Sequence, residues 1–326
     1  MNVDAKVYVA GHRGLVGSAI VRRLQALGYR DILTRTKHEL DLRDQAQVRG
    51  LFERERPAYV FMAAATVGGI LANDRYPATF VSDNLMIEIN VIDASHRSGV
   101  AKLLFLGSSC IYPRECPQPM KEESLLSGYL EPSNQPYAIA KIAGIEMARA
   151  YNRQYGSNFI SVLPTNLYGP GDNFDLETSH VLAALIRKFH EAKLASKAGS
   201  SRDAVVLWGT GAARREFLHV DDLAEACVFL MDTYDGQNLV NVGTGEDISI
   251  RDLADLVGGV VGYEGGIVWD ASKPDGTPQK LLDVSRLHGL GWAHRISLRD
   301  GVATTYAWYR ESAAETGLGA IRGLPA

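Results

Sequence analysis

Three cysteines in 326 residues, Cys110, Cys116 and Cys227, are too few and too irregularly spaced for a disulfide framework or a zinc cluster. They point to a reducing compartment, so a cytoplasmic location and no bound metal are expected. No stretch approaches the ~20 consecutive apolar residues of a membrane span. The start, MNVDAKVYVAG, has no long apolar segment behind a basic region, the pattern of a secretory signal. Excess positive charge is also missing. A net charge of −4 and an isoelectric point near 6.1 suggest neither a nucleic-acid partner nor an anionic membrane surface. Internal repeats and long low-complexity runs are absent too. What remains is ordinary for a globular chain, 46% apolar and 22% charged, and long enough for one large or two modest domains with a sizeable core.

Strand and helix patterns alternate along the first half. KVYVAG (6–11) is a short apolar run ending in glycine, and LVGSAIVRRLQALGY (15–29) has helical spacing at Ile20, Leu24 and Leu27, with Gly28 at its end. DILTRT, AYVFMAAA, AKLLFLGSS and FISVLPTNLYGPG read as further strands. DQAQVRGLFERERP, the stretch 82–99 and the stretch 136–156 read as the helices between them. The strands are apolar runs without polar alternation, which predicts a parallel sheet covered by helices on both faces. The expectation is an α/β, Rossmann-type doubly wound sheet over 1–168, with returns near 214–245. A smaller C-terminal α/β substrate-binding lobe is expected from 169–213 and 246–326, with SKAGSSRD as a loop in it. Helices 84–98 and 137–155 are apolar on more faces than one sheet contact needs. They either pair across a two-fold axis as a four-helix bundle or are buried within one subunit.

VYVAGHRGLVGSAI places Gly11, Gly14 and Gly17 between a strand and a helix. Glycines there permit a tight turn and close approach of backbone to a pyrophosphate, which the helix N-terminus attracts. Alternatively they only make a turn. At the end of the second strand, LTRTKHELDL carries Arg35 and Lys37 where an acid would accept from the ribose of NAD, and Arg13 lies in the glycine loop. Cations suit a 2′-phosphate, so NADP(H) is the expected cofactor unless these are solvated surface charges. The expected cofactor site comprises Gly11, His12, Arg13, Gly14, Leu15, Val16, Gly17, Arg35, Thr36, Lys37, Asp41, Leu42, Ala63, Ala64, Ala65, Leu106, Gly107, Ser108, Tyr137, Lys141, Pro164, Thr165, Asn166, Leu167 and His180. Asp41 is expected to cap or to contact adenine as an acceptor, and Asn166 and Leu167 to line the nicotinamide side.

Tyr137 and Lys141 are four apart and share a helix face. An ammonium beside a phenol lowers the phenol pKa from about 10, so that it can give a proton to a carbonyl oxygen. Ser108, at a strand end, is placed to bond the same oxygen. Together GHRGLVG, GSSCIYP, PYAIAK and PTNLYGP resemble the extended short-chain dehydrogenase/reductase family. EPSNQPYAIAKIAGIEMARAYNRQYG, PTNLYGPGDNFD, SHV, REFLHVDDLA and KPDGTPQKLLDVSRL narrow the resemblance to the GDP-L-fucose synthase branch, over about residues 5–310. The resemblance implies an NADPH-dependent 3,5-epimerase and 4-reductase acting on GDP-4-keto-6-deoxy-D-mannose, and a homodimer.

It also explains a cysteine in GSSC. Epimerisation beside a ketone needs one group to take a proton from carbon and another to return it on the opposite face. The resemblance implies Cys110 as base and His180 as acid; read as residues alone, Cys110 equally suits a small buried position and His180 a helix cap. The resemblance further implies substrate contacts from Ser109, Cys110, Lys188, Trp208, Arg215, Asp275 and Lys280. An arginine is the form expected where Lys188 stands, so that contact has lost its bidentate geometry. Rival readings are a nucleotide-sugar 4-reductase or 4-epimerase of the same fold and a non-catalytic NADP(H)-sensing regulator.

Overall fold

A computed structural model describes residues 1–176, 178–197, 204–273 and 275–316. The loop expected at 196–203 falls outside the described residues from 198 onward, as does the end of the chain from 317. In chain order the elements are β1 (Val7–Ala10), α1 (Leu15–Ala26), β2 (Ile32–Leu33), α2 (Gln45–Glu55), β3 (Tyr59–Met62), α3 (Ile70–Arg75), α4 (Pro77–Arg97) and β4 (Lys102–Leu106). Then come α5 (Gln135–Tyr155), β5 (Phe159–Pro164), β6 (Asn166–Tyr168), α6 (Val181–Lys197), β7 (Val205–Trp208), β8 (Arg214–His219) and α7 (Val220–Thr233). The remainder is β9 (Val240–Val242), β10 (Asp247–Ser249), α8 (Ile250–Val261), β11 (Ile267–Asp270), β12 (Gln279–Lys280), α9 (Ser285–Gly289) and α10 (Leu298–Thr316).

Six strands make a parallel sheet in the order β2-β1-β3-β4-β5-β9. Successive side chains on a strand point to opposite faces. Val7, Val9, Phe61, Leu104 and Leu106 therefore pack with α1 and α7 on one face. Tyr8, Ala10, Val60, Met62, Leu103 and Phe105 pack with α2, α4 and α5 on the other. Burial on both faces is why these strands lack polar alternation. The chain leaves β1 for β2 on one side and returns to β3 on the other, which opens a crevice at the carboxyl ends of β1 and β3.

After β5 the chain crosses at Thr165 into a second sheet, where β6 pairs β8 and β8 pairs β10 and β12. The buried Glu216 carboxylate joins the two sheets, accepting backbone N–H from Thr244 at 2.6 Å, Gly245 at 2.8 Å and Leu282 at 2.9 Å. A third apolar cluster, from α6, α8, α10 and β7, closes the C-terminal part. On the outer faces of α4 and α5, Met86, Ile89 and Ile139 stay exposed. Among the described residues no helix is long and apolar enough to cross a membrane.

Candidate active site

A cavity of about 520 Å³ lies at the carboxyl ends of β1, β3, β4 and β5. Its wall includes Gly11, Gly14, Leu15 and Val16 of the glycine loop, Arg35, Lys37, Asp41 and Leu42 beyond β2, and Ala63, Ala64 and Ala65 after β3. Leu106 and Gly107, Pro164 and Thr165, and Asn166 and Leu167 complete that end. Of the residues expected for the cofactor, His12, Arg13, Gly17 and Thr36 do not line it. Gly17 works from beneath: a Cβ there would stand 2.2 Å from the Gly11 carbonyl oxygen. Gly11 adopts φ +83°, and a Cβ on it would lie 2.7 Å from the Ala64 nitrogen.

The residues present fit a dinucleotide. The first turn of α1 has no side-chain cap and no acidic residue, so its free N–H groups and dipole face the cavity unneutralised. The Nδ1 of His12 is buried without a partner in the same loop. Around the end of β2 the cations are partly engaged by neighbouring acids. Arg35 donates to the Thr34 carbonyl at 2.7 Å and to Glu55 at 3.1 Å. Arg43, which sequence reading passed over, lines the cavity too; it bonds Asp41 at 2.7 Å and Asp83 at 3.2 Å. The hydrogen bond from Arg43 holds the Asp41 carboxyl down at about 2. Asp41, expected to cap or to contact adenine, is thus also engaged by Arg43.

The reacting end gathers Ser108, Ser109 and Cys110 from the end of β4, Tyr137 and Lys141 from α5, and His180 from the start of α6, all lining the same cavity. Ser108 Oγ accepts from the Cys110 N–H at 3.2 Å and so caps the short turn Ser109–Ile111. Burial raises the Tyr137 pKa, the negative charges of Cys110 and Glu88 raise it further, and a hydrogen bond with Ser108 opposes them. Lys141, expected beside the phenol, has an acidic partner of its own. Lys141 Nζ sits 3.2 Å from Glu88 Oε1 and 4.8 Å from the centre of the Phe105 ring. When ionised, Glu88 offsets the charge that was expected to act on Tyr137.

His180 is exposed to the cleft yet ringed by protein at longer range, and that desolvation lowers its pKa. The loop before it is tied down: Asn173 Nδ2 donates to Thr178 Oγ1 at 2.8 Å, and the Gly69 N–H donates to the Thr178 carbonyl at 3.1 Å. Asp172, a further cavity residue that sequence reading passed over, is pushed up to about 7 by burial. It lay within the quoted PTNLYGPGDNFD, but nothing local marked it as buried.

Of the residues expected to contact a nucleotide sugar, Ser109 and Cys110 line the cavity, whereas Lys188, Trp208, Arg215, Asp275 and Lys280 do not. Arg215 extends inward until its charge bears on Cys110, whereas Arg214 turns away to Asp247 at 2.6 Å. Lys188 donates to the Val206 carbonyl at 3.1 Å, and Trp208 is exposed with Lys273 over its ring. Lys280 pairs with Arg215 in register across β12 and β8. The Asp275 carboxylate bonds Thr210, at 2.6 Å to N–H and 2.7 Å to the hydroxyl, so it braces the turn at Gly209.

Residues 7–243 match the NAD dependent epimerase/dehydratase family. The chain belongs to that family. Within it, the chain falls among the GDP-L-fucose synthases. It is 58% identical to GDP-L-fucose synthase 1 of Arabidopsis thaliana over 306 residues, 94% of this chain and 93% of that protein. It is 54% identical to the GDP-L-fucose synthase of Escherichia coli, covering 94% and 97% of the two chains. Among solved structures, a GDP-L-fucose synthetase from Naegleria fowleri bound to NADP superposes with a TM-score of 0.88 at 28% identity, over 97% of each chain. A GDP-6-OMe-4-keto-L-xylo-heptose reductase from C. jejuni superposes with a TM-score of 0.91 at 40% identity, over 96% of this chain and 99% of that one.

Proposed function

We propose that the protein converts GDP-4-keto-6-deoxy-D-mannose to GDP-L-fucose, by epimerisation at carbons 3 and 5 and reduction of the 4-keto group with NADPH. The observation that carries this reading is one cavity lined by Cys110 and His180 together with Ser108, Tyr137 and Lys141. A plain reductase has no need of the first two. Full-length identity above 50% to proteins named GDP-L-fucose synthase supports the substrate.

The glycine loop and the α1 N-terminus would hold the pyrophosphate of NADP(H), and Arg35 and Lys37 its 2′-phosphate. When bound, that cofactor supplies hydride to carbon 4. Ser108 and Tyr137 bond the 4-keto oxygen, which makes the protons on the flanking carbons acidic. Cys110 takes such a proton as thiolate, with the Arg215 charge nearby, and His180 returns one from the opposite face. In the reduction, Tyr137 gives its hydroxyl proton to the same oxygen. Lys188, Trp208, Arg215, Asp275 and Lys280 would hold the GDP moiety along the C-terminal lobe. We assign that lobe to 169–213 and 246–326 and the cofactor domain to 1–168 with returns near 214–245. The exposed Met86, Ile89 and Ile139 support a homodimer through α4 and α5 as a four-helix bundle, and the three free cysteines support a cytoplasmic location.

The test is incubation with GDP-4-keto-6-deoxy-D-mannose and NADPH in deuterated water, with the product identified by mass and NMR. GDP-L-fucose labelled at carbons 3 and 5 is expected. A reduced but unepimerised sugar would make the protein a 4-reductase, the activity class of the C. jejuni relative, and no NADPH consumption would reject the reading.

A further inference from the structure

Glu88 is the one acid in the apolar run LMIEINVI of α4, and it is 1% exposed. A carboxylate there costs several kcal/mol unless a partner compensates it. The partner is Lys141, equally buried, 3.2 Å away from Oε1 but off the line of a hydrogen bond; neither Glu88 oxygen has a directional hydrogen-bond partner. The space for this pair is built. Gly144 lies three residues after Lys141 on the same face of α5, and a Cβ there would stand 2.7 Å from Glu88 Oε2 and 2.5 Å from Phe105 Cζ. Lys141 is the charged group that bears on Glu88. Elsewhere around α4, Arg49 and Arg97 turn to Asp93, and Arg43 to Asp41 and Asp83. Tyr137, one turn before Lys141, is buried and feels the negative charge of Cys110 and, after it, that of Glu88, with a hydrogen bond to Ser108 opposing them.

We propose that Glu88 is a positioning residue for the reduction: it anchors the Lys141 ammonium in the dry site and, by gaining or losing a proton, decides whether that positive charge is cancelled or left to act on the Tyr137 phenol. This rests on the reading of Tyr137 as proton donor. With Glu88 ionised, the pair is neutral overall and the carboxylate holds the phenol pKa up. With Glu88 protonated from water, the ammonium is uncompensated and the phenol releases its proton more readily. Burial, opposed in part by Lys141, pushes the Glu88 carboxyl up to about 7, so the change falls near neutrality and reduction quickens as pH drops through it.

Glu88→Gln keeps the length and an acceptor oxygen for Lys141 but removes the charge. Read as the ultraviolet difference against Tyr137→Phe, the Tyr137 phenol is expected to ionise about one pH unit lower in Glu88→Gln than in the parent. The kcat for reduction should lose its dependence on pH between about 6 and 8, with KM for NADPH within about 2-fold. Glu88→Ala, which removes the anchor, should lower that kcat about 10-fold or more while solvent-deuterium exchange into the sugar stays within about 3-fold. Glu88→Asp, whose carboxylate is drawn back by a methylene, should titrate between parent and Gln, and it serves if the Gln variant does not fold. An unmoved phenol titration with the parent pH profile retained, or equal losses of reduction and exchange, would reduce Glu88 to packing and overturn the proposal. A parent that does not reduce the sugar would instead defeat the functional reading, and the phenol titration would still judge Glu88.

Discussion

Asp172 offers a test of the cavity wall that needs no ligand. It is 5% exposed, and its Oδ1 accepts from the Asn173 N–H at 2.7 Å. Burial raises its carboxyl from 3.8 to about 7, with only that N–H opposing. Because the folded-state pKa lies above the unfolded one, stability is greatest below the unfolded value and is lost as pH rises through the folded value. From these two pKa values the parent has lost about 1.5 kcal/mol at pH 5 and about 4 kcal/mol at pH 8 relative to acid. Asp172→Asn cannot ionise, yet it keeps the oxygen that accepts from Asn173. Any pH-independent cost of the change is therefore the same at both pH values and cancels. The variant should gain about 2–3 kcal/mol on the parent between pH 5 and pH 8, or about 4 °C in Tm for a chain of this length. Thermal melts of both proteins without ligand at the two pH values measure it. A gap between variant and parent that stays constant within about 1 °C would refute the burial of an ionisable carboxyl at this position.

Three further outcomes are expected. Gly17→Ala drives a Cβ to 2.2 Å from the Gly11 carbonyl oxygen and must displace the loop, so calorimetric titration should show NADPH binding weakened about 10-fold or more. Cys110→Ala should slow deuterium exchange at carbons 3 and 5 by about 100-fold or more with NADPH affinity within about 2-fold, and exchange at the parent rate would remove Cys110 from the chemistry. Replacing Arg35 and Lys37 together with Ala should cost about 10-fold or more in NADPH affinity and leave NADH little changed, and equal losses for both cofactors would place the 2′-phosphate elsewhere.

The parts legible in the sequence are those set by covalent spacing. Apolar runs without alternation specify a sheet buried on both faces, and β1, β3, β4 and β5 are such runs. Three glycines three apart at the first strand–helix junction specify the close approach seen at Gly11 and Gly17. Tyr137 and Lys141 share a face because a helix repeats in 3.6 residues. The choice of Arg215 over Arg214 rests on the family resemblance and not on spacing; in the fold Arg214 turns to Asp247, and the Arg215 charge bears on Cys110.

What spacing does not carry is the partner of each charge. Lys141 meets Glu88 because α4 and α5 pack together and Gly144 leaves room between them. Asp41 is held by Arg43, and Asp275 braces Thr210, partners that their motifs do not announce. Asp172 is a buried acid because the loop after β6 packs it into the cavity lining. Electrostatic environment depends on distance and dielectric, and both are properties of the assembled fold. Sequence by itself determined which groups the site contains; the packing of helices and loops from different parts of the chain decided which of them are charged, paired or free.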